Sequence, residues 1–161
     1  MTFDPRHYRT ALGWFATGVT IITARNSAGD LIGITANSFN TVSLDPPLVL
    51  FSLDRRALSL PAFEDAGAFA INVLNEDQKE LSGRFATQGA DKFASIAYEL
   101  WDTGAPIIPG TLASFECRTR STHDGGDHVI FIGHVIRYRA DDHGKPLLYF
   151  RGKYSRLHDI H

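Results

Sequence analysis

The sequence predicts a mainly β fold, an antiparallel barrel, closed or nearly so, that carries a few short helices. Three observations predict it. Short runs rich in β-branched and aromatic residues recur between Gly, Pro, Asn and Asp punctuation. Only short segments show helical spacing. The strand, helix, strand alternation that builds a parallel sheet is absent from the pattern.

Asp4 followed by Pro5 supplies an N-cap and a first helical position, and Tyr8, Leu12 and Phe15 recur at helical spacing until Gly18 stops the run. Residues 19–25 and 31–37 are two β-branched runs joined by the turn residues 26–30, which makes a hairpin. Asp45-Pro46-Pro47 breaks the chain before a short apolar strand over 48–53. Residues 61–66 form about two helical turns behind Ser59, followed by Gly67 and a strand over 68–74. Asn75 and Gln78 have capping-box spacing at the head of a helix that sets Leu81 and Phe85 on one face. Residues 87–110 read as an ordered loop region with some helix. Strands then dominate: 111–121, a loop over 122–127, 128–140, a turn over 141–145, and 146–152.

A chain of 161 residues suits a single domain over 1–161, or one subunit of an oligomer. Its 43% hydrophobic and 21% charged residues are ordinary for a globular protein. Net charge is −2 and the arginines are scattered, so the basic tract that neutralises a phosphate backbone is missing and nucleic acid is not an expected partner. Cys117 is the lone cysteine, which excludes an intrachain disulfide and a CxxC pair and fits a reducing cytoplasm. The charged start of the chain lacks a signal-peptide core, and no apolar run has membrane-spanning length, so no membrane partner is expected.

Four stretches are candidates for chemistry. Thr35, Asn37, Ser38, Asn40, Thr41 and Ser43 crowd hydroxyls and amides between two apolar runs. Such a loop suits a flat heteroaromatic ring with several carbonyls or an attached phosphate, and equally a hydrated surface turn. Ser52, Arg55, Arg56 and Ser59 surround the start of a short helix, an anion-favouring arrangement or a plain charged turn with an ordinary cap. His123, Asp127 and His128 lie in a Gly-rich connection; without a further ligand at recognisable spacing they make a poor metal site, and none is expected. His128 instead opens a strand and projects from its end. Tyr154, after the last strand, is either a core aromatic or a stacking platform. GxSxG is missing, Cys117 has no neighbouring His in the sequence and no carboxylate pair stands out, which favours chemistry carried by a borrowed cofactor.

Taken together, residues 15–24 (FATGVTIITA), 33–54 (GITANSFNTVSLDPPLVLFSLD), 69–86 with DKF at 91–93, and GDHVIFIGHV at 126–135 with PLLYFRGKY at 146–154 resemble the flavin reductase-like, FMN-binding split-barrel family. These are NAD(P)H:flavin oxidoreductases that supply reduced flavin to two-component monooxygenases. The resemblance runs in order from about residue 8 to residue 157.

The resemblance implies a six-stranded antiparallel Greek-key split barrel, a homodimer, and FMN or FAD bound at or near the subunit interface with NADH or NADPH as co-substrate. It implies that Thr35, Ala36, Asn37 and Ser38 meet the isoalloxazine and ribityl chain and that Ser52, Leu53 and Asp54 continue that wall. It places Ser59 at the phosphate, Arg84, Phe85 and Ala86 along the ribityl-phosphate side, and His128 and Tyr154 at the nicotinamide. His128, the one residue assigned to the reaction itself, would orient or polarise the carboxamide, since an imidazole donates a hydrogen bond in either protonation state. Where relatives carry a Ser- or Thr-rich run between Ser52 and Ser59, this chain has Arg55, Arg56 and Ala57, so arginine is an alternative phosphate grip and FMN against FAD stays open. A flavin-dependent monooxygenase component is the implied protein partner. Rival readings are a protein of the same fold that retains its flavin and reduces ferric iron or a quinone, a non-enzymatic flavin or haem binder, and a metal enzyme built on His123 and His128.

Overall fold

The computed structural model describes residues 2–89 and 91–158. The chain runs α1 (Pro5–Leu12), β1 (Thr17–Gly18), β2 (Thr20–Arg25), β3 (Leu31–Ala36), β4 (Asn40–Leu44), β5 (Pro47–Asp54), α2 (Leu60–Ala66) and β6 (Ala68–Val73). A 3-10 turn (Glu76–Gln78), α3 (Lys79–Ala86), β7 (Glu99–Leu100), β8 (Pro106–Ile107), β9 (Ala113–Gly125), β10 (His128–Ala140), β11 (Leu148–Phe150) and β12 (Lys153–Ser155) follow. The main sheet has seven antiparallel strands in the order β3-β2-β6-β9-β10-β5-β4, one more than the six that the resemblance implies.

That order forces the sheet to roll. Laid flat, the two edge strands would stand six spacings apart, about 29 Å at about 4.8 Å each. Yet β3 and β4 are joined by residues 37–39 alone, a link that spans at most about 14 Å. The edges therefore approach without pairing, and the result is an unclosed barrel split along the β3 and β4 seam.

Alternation along each strand fills the interior. Ile22 and Ala24, Val49, Phe51 and Leu53, Phe69 and Ile71, Cys117, and Val129 and Phe131 all point into one cluster, which α2 completes with Leu60 and Phe63. The Phe51 and Phe131 rings stack at 4.8 Å, and burying each such side chain contributes about 1.5–3 kcal/mol. A second cluster on the outer side of β2, formed by Val19, Ile21, Leu74, Phe85, Ile108 and Leu147, seats α3 on the barrel. Because β2 is covered on both faces, its sequence TIITA is continuously buried rather than alternating. Gly33 makes the α3 contact possible: a Cβ there would lie 2.3 Å from the Phe85 ring.

The structure departs from the sequence pattern at several elements. The first helix stops at Leu12 because Gly13 caps it, so Phe15 lies beyond it. Residues 40–44, expected as part of a polar loop, are strand β4 on the sheet edge. The expected loop over 122–127 is mostly ladder: β9 continues to Gly125 opposite His128, and only Gly126 and Asp127 turn. Residues 87–110 contain no helix among the described residues; instead β7 pairs with β8. The strap they belong to covers a buried polar knot in which Asn72 accepts from Ile108 N–H and Ser114 Oγ and donates to Ile21 C=O. The strand expected over 146–152 shortens to β11, and Arg151 and Gly152, both at positive φ as a tight hairpin turn requires, lead into a further strand, β12. The capping box at Asn75 and Gln78 forms as the spacing predicts. No described helix is long and apolar enough to cross a membrane.

Candidate functional site

The polar stretch lies at the split in the barrel. Thr35 Oγ1 donates to Ser82 C=O of α3 at 2.6 Å, and Ala36 C=O accepts from Thr20 Oγ1 at 2.7 Å, so the end of β3 is fixed on both sides. Ser38 then bridges the seam: its hydroxyl donates to Ser52 C=O at 2.9 Å and accepts from Ser52 N–H at 3.0 Å. The β4 ladder reaches only to Leu50 of β5, so this one side chain substitutes for the ladder pair that Ser52 lacks on that side.

Two clefts adjoin this segment. One, of about 230 Å³, is lined by Thr35, Leu53, Ser59, Phe85, Ala86 and Lys92 among others. Five of the sequence-predicted residues thus share one wall. The other, of about 790 Å³, brings Asn37 and Ser38 together with Arg6, Arg9, Tyr149 and Arg151. Ser59 stands at the N-cap of α2 but makes no capping hydrogen bond through its side chain, which leaves its hydroxyl outside the ordinary cap role.

Lys92, in the DKF motif, carries no signal of its role in the sequence. Its Nζ donates to Gly33 C=O at 3.0 Å and Phe85 C=O at 2.9 Å, and burial pushes its pKa down. A single cation in a loop has no periodicity to betray it; only the fold shows that it faces the cleft. Arg84, by contrast, turns away from the cleft wall to the carbonyls of Asp91, at 3.3 Å, and Ala94, and holds that loop in place.

The arginines that replace the Ser/Thr run are engaged with acids. Asp54 accepts from Arg56 N–H at 2.8 Å, Nε at 3.2 Å and Nη2 at 2.9 Å, and these bonds hold the Asp54 carboxyl well below the usual carboxylate range. Arg55 reaches across to the β9 and β10 turn, with Nη2 at 2.5 Å from Asp124 Oδ1 and Nε donating to Gly126 C=O at 2.8 Å. Neither guanidinium stands free as a phosphate grip in this arrangement.

His128 faces Asp54 across the β10 and β5 ladder, and its Nδ1 lies 2.7 Å from Asp127 Oδ1. His123 Nε2 pairs with Ser121 Oγ instead, and among the described residues no group of three His, Cys, Asp or Glu side chains could hold a metal ion. Tyr154 packs against the second core cluster, and its hydroxyl meets Ser82 Oγ at 2.7 Å, so Ser82 links it to Thr35. Its ring packs as a core aromatic, and it also borders a cleft with Phe150 and Arg151. Cys117 is fully buried, and burial pushes its thiol up to about 12, so it is no nucleophile.

A rolled antiparallel sheet, open along a seam that carries hydroxyls, amides and a lysine beside two clefts, defines a split barrel. Residues 12–158 match the flavin reductase like domain, and the chain belongs to that family. It is similar to FMN reductase (NADH) SmoA of Agrobacterium fabrum, 50% identical over 154 residues that cover 96% of this chain and 87% of the relative. It is similar also to the flavin-dependent monooxygenase reductase subunit HsaB of Rhodococcus jostii, 43% identical over 154 residues, 96% of this chain and 78% of the relative. Among solved structures, the NADH:FAD oxidoreductase SgcE6 of Streptomyces globisporus in complex with NAD and FAD fragments superposes with a TM-score of 0.90 at 35% identity, covering 98% of this chain and 96% of that one.

Proposed function

We propose that this chain uses the seam to hold FMN or FAD against NADH or NADPH, and hands the reduced flavin to a monooxygenase component. The chain is a flavin reductase: the family match and the relatives named as reductase subunits of monooxygenases support that activity. The observation that carries the site assignment is the convergence of Thr35, Leu53, Ser59, Phe85, Ala86 and Lys92 on one cleft beside the Ser38 and Ser52 bridge. The donor set fits a flavin: hydroxyl and ammonium donors for a phosphate and ribityl chain, apolar walls from Leu53 and Phe85 for a ring.

Bound flavin supplies a hydride acceptor, and the nicotinamide supplies the hydride, so the protein needs no nucleophile of its own. Its residues bind, orient and exclude water. Thr35, Ala36, Asn37 and Ser38, with Ser52, Leu53 and Asp54, form the ring-side wall, and preorganised N–H groups there favour negative charge on a bound ring. Lys92 and Ser59 face the phosphate side, with Arg84, Phe85 and Ala86 closing it; Arg84 acts by fixing the 91–94 loop. His128 and Tyr154 orient the nicotinamide, and His128 bears directly on turnover. The exposed apolar row Leu12, Trp14 and Phe15, at 56%, 61% and 79% exposure, supports a homodimer whose partner covers this face. A single domain and a cytoplasmic setting accompany this function.

His128→Ala tests the site assignment: it raises the KM for NAD(P)H with a smaller effect on flavin affinity. Unchanged nicotinamide kinetics would remove His128 from the site.

A further inference from the structure

We infer that Arg55 is a positioning residue for His128, acting by stapling the turn between β9 and β10 to the end of β5. This rests on the assignment of His128 to the nicotinamide. The turn that carries His128 consists of Gly126 and Asp127 at the tip of two 13-residue strands, and among the described residues the backbone ladder ties this tip to β5 through His128 and Asp54. Arg55 fastens it at three points. Its backbone N–H donates to Asp127 C=O at 2.9 Å, its Nε donates to Gly126 C=O at 2.8 Å, and its Nη2 pairs with Asp124 at 2.5 Å. Asp127 in turn orients the His128 ring through Nδ1 at 2.7 Å, so the guanidinium fixes the backbone on which the imidazole and its carboxylate partner are both mounted. His128 is 41% exposed and so lacks the packing that would otherwise set its rotamer. A planar fork that serves a carbonyl and a carboxylate together is a task for arginine; lysine offers one point charge on a flexible stem.

The consequence is a conformational factor on nicotinamide binding. If removal of the fork leaves the tip in place for about one fifth of the time, apparent affinity falls about fivefold. The side chain lies outside the two clefts beside the seam, so flavin affinity is spared.

The test combines Arg55→Ala, Arg55→Lys, Asp124→Asn, His128→Ala and the Arg55→Ala/His128→Ala double variant. Steady-state KM for NADH or NADPH, whichever the enzyme uses, is measured together with flavin Kd by fluorescence quenching. Imidazole NMR of the flavin-free, 15N-histidine-labelled protein supplies a readout independent of turnover. Expected are a KM about fivefold higher in Arg55→Ala, intermediate values in Asp124→Asn, which keeps the Nε bond to Gly126, and in Arg55→Lys, and unchanged kcat and flavin Kd. The double variant is no worse than His128→Ala alone, because Arg55 acts only through that ring. The His128 resonance shifts or broadens in Arg55→Ala. Additive effects in the double variant, an equal rise in flavin Kd, or an unmoved His128 resonance overturns the inference. An unchanged KM in His128→Ala refutes the site assignment and the inference with it, whereas a raised KM there with wild-type KM in Arg55→Ala refutes the inference alone.

Discussion

Ser38→Ala removes one oxygen and with it both bonds that close the seam, the donation to Ser52 C=O and the acceptance from Ser52 N–H. Each such bond contributes about 1 kcal/mol net. The pair is only partly buried, so water reaches the vacated groups and offsets part of the loss. The expected cost is about 1.5 kcal/mol. Unfolding entropy of about 2.1 cal/mol/K per residue over 161 residues is about 0.34 kcal/mol/K, so the melting midpoint falls by about 4 °C. The seam is also the proposed flavin-side wall, and on that proposal its loosening weakens FMN or FAD binding about three- to tenfold. Thermal unfolding followed by circular dichroism and flavin fluorescence quenching measure the two effects, with Ser38→Thr, which retains the hydroxyl, as control. A variant with the wild-type midpoint and wild-type flavin affinity would show that the bridge closes nothing.

Lys92→Met keeps the stem and removes the charge: flavin phosphate binding weakens about tenfold, while riboflavin, which lacks phosphate, is little affected; calorimetric titration with both ligands decides. Gly133→Ala places a Cβ 2.4 Å from Phe69 Cζ and 2.8 Å from Cys117 Cβ inside the barrel, an overpacking cost of about 3 kcal/mol read by urea denaturation. Asn72→Leu strands the buried Ile108 N–H, costs about 3 kcal/mol, and exposes the 101–111 strap to limited proteolysis. Asp54, held low chiefly by its side-chain bond to Arg56, contributes stability that is present above the ordinary carboxylate pKa and is lost as pH falls through its depressed folded value. Arg56→Ala therefore moves the acid-side loss of stability to higher pH, which an acid titration followed by fluorescence shows.

Much of the fold was legible because its signals are local. The Asn75 and Gln78 capping box, the Asp4-Pro5 start and the hairpin over 19–37 announce themselves within a few residues. What stayed hidden depends on distant partners. β4 reads as a polar loop because, as an exposed edge strand, it buries almost nothing. The 122–127 segment reads as a loop because its Gly and Asp residues have turn chemistry, and only the register with β10 shows four of its residues in the ladder. At the site, Thr35, Leu53, Ser59, Phe85 and Ala86 were expected together and do share a cleft, whereas Lys92 and the Arg55 staple needed the fold to bring residues 33, 85 and 92, or 55 and 124, into contact. Arg55 and Arg56 looked available for phosphate because nothing local revealed that Asp124 and Asp54 already occupy them.

Flavin binding by the purified protein probes the seam most directly. Titrated into FMN and into FAD, the wild-type chain quenches flavin fluorescence saturably, at a stoichiometry of about one flavin per subunit, and Lys92→Met shifts the curve to higher protein concentration. A chain that leaves the fluorescence of every riboflavin derivative unchanged at all concentrations contradicts the assignment of the seam as a flavin site.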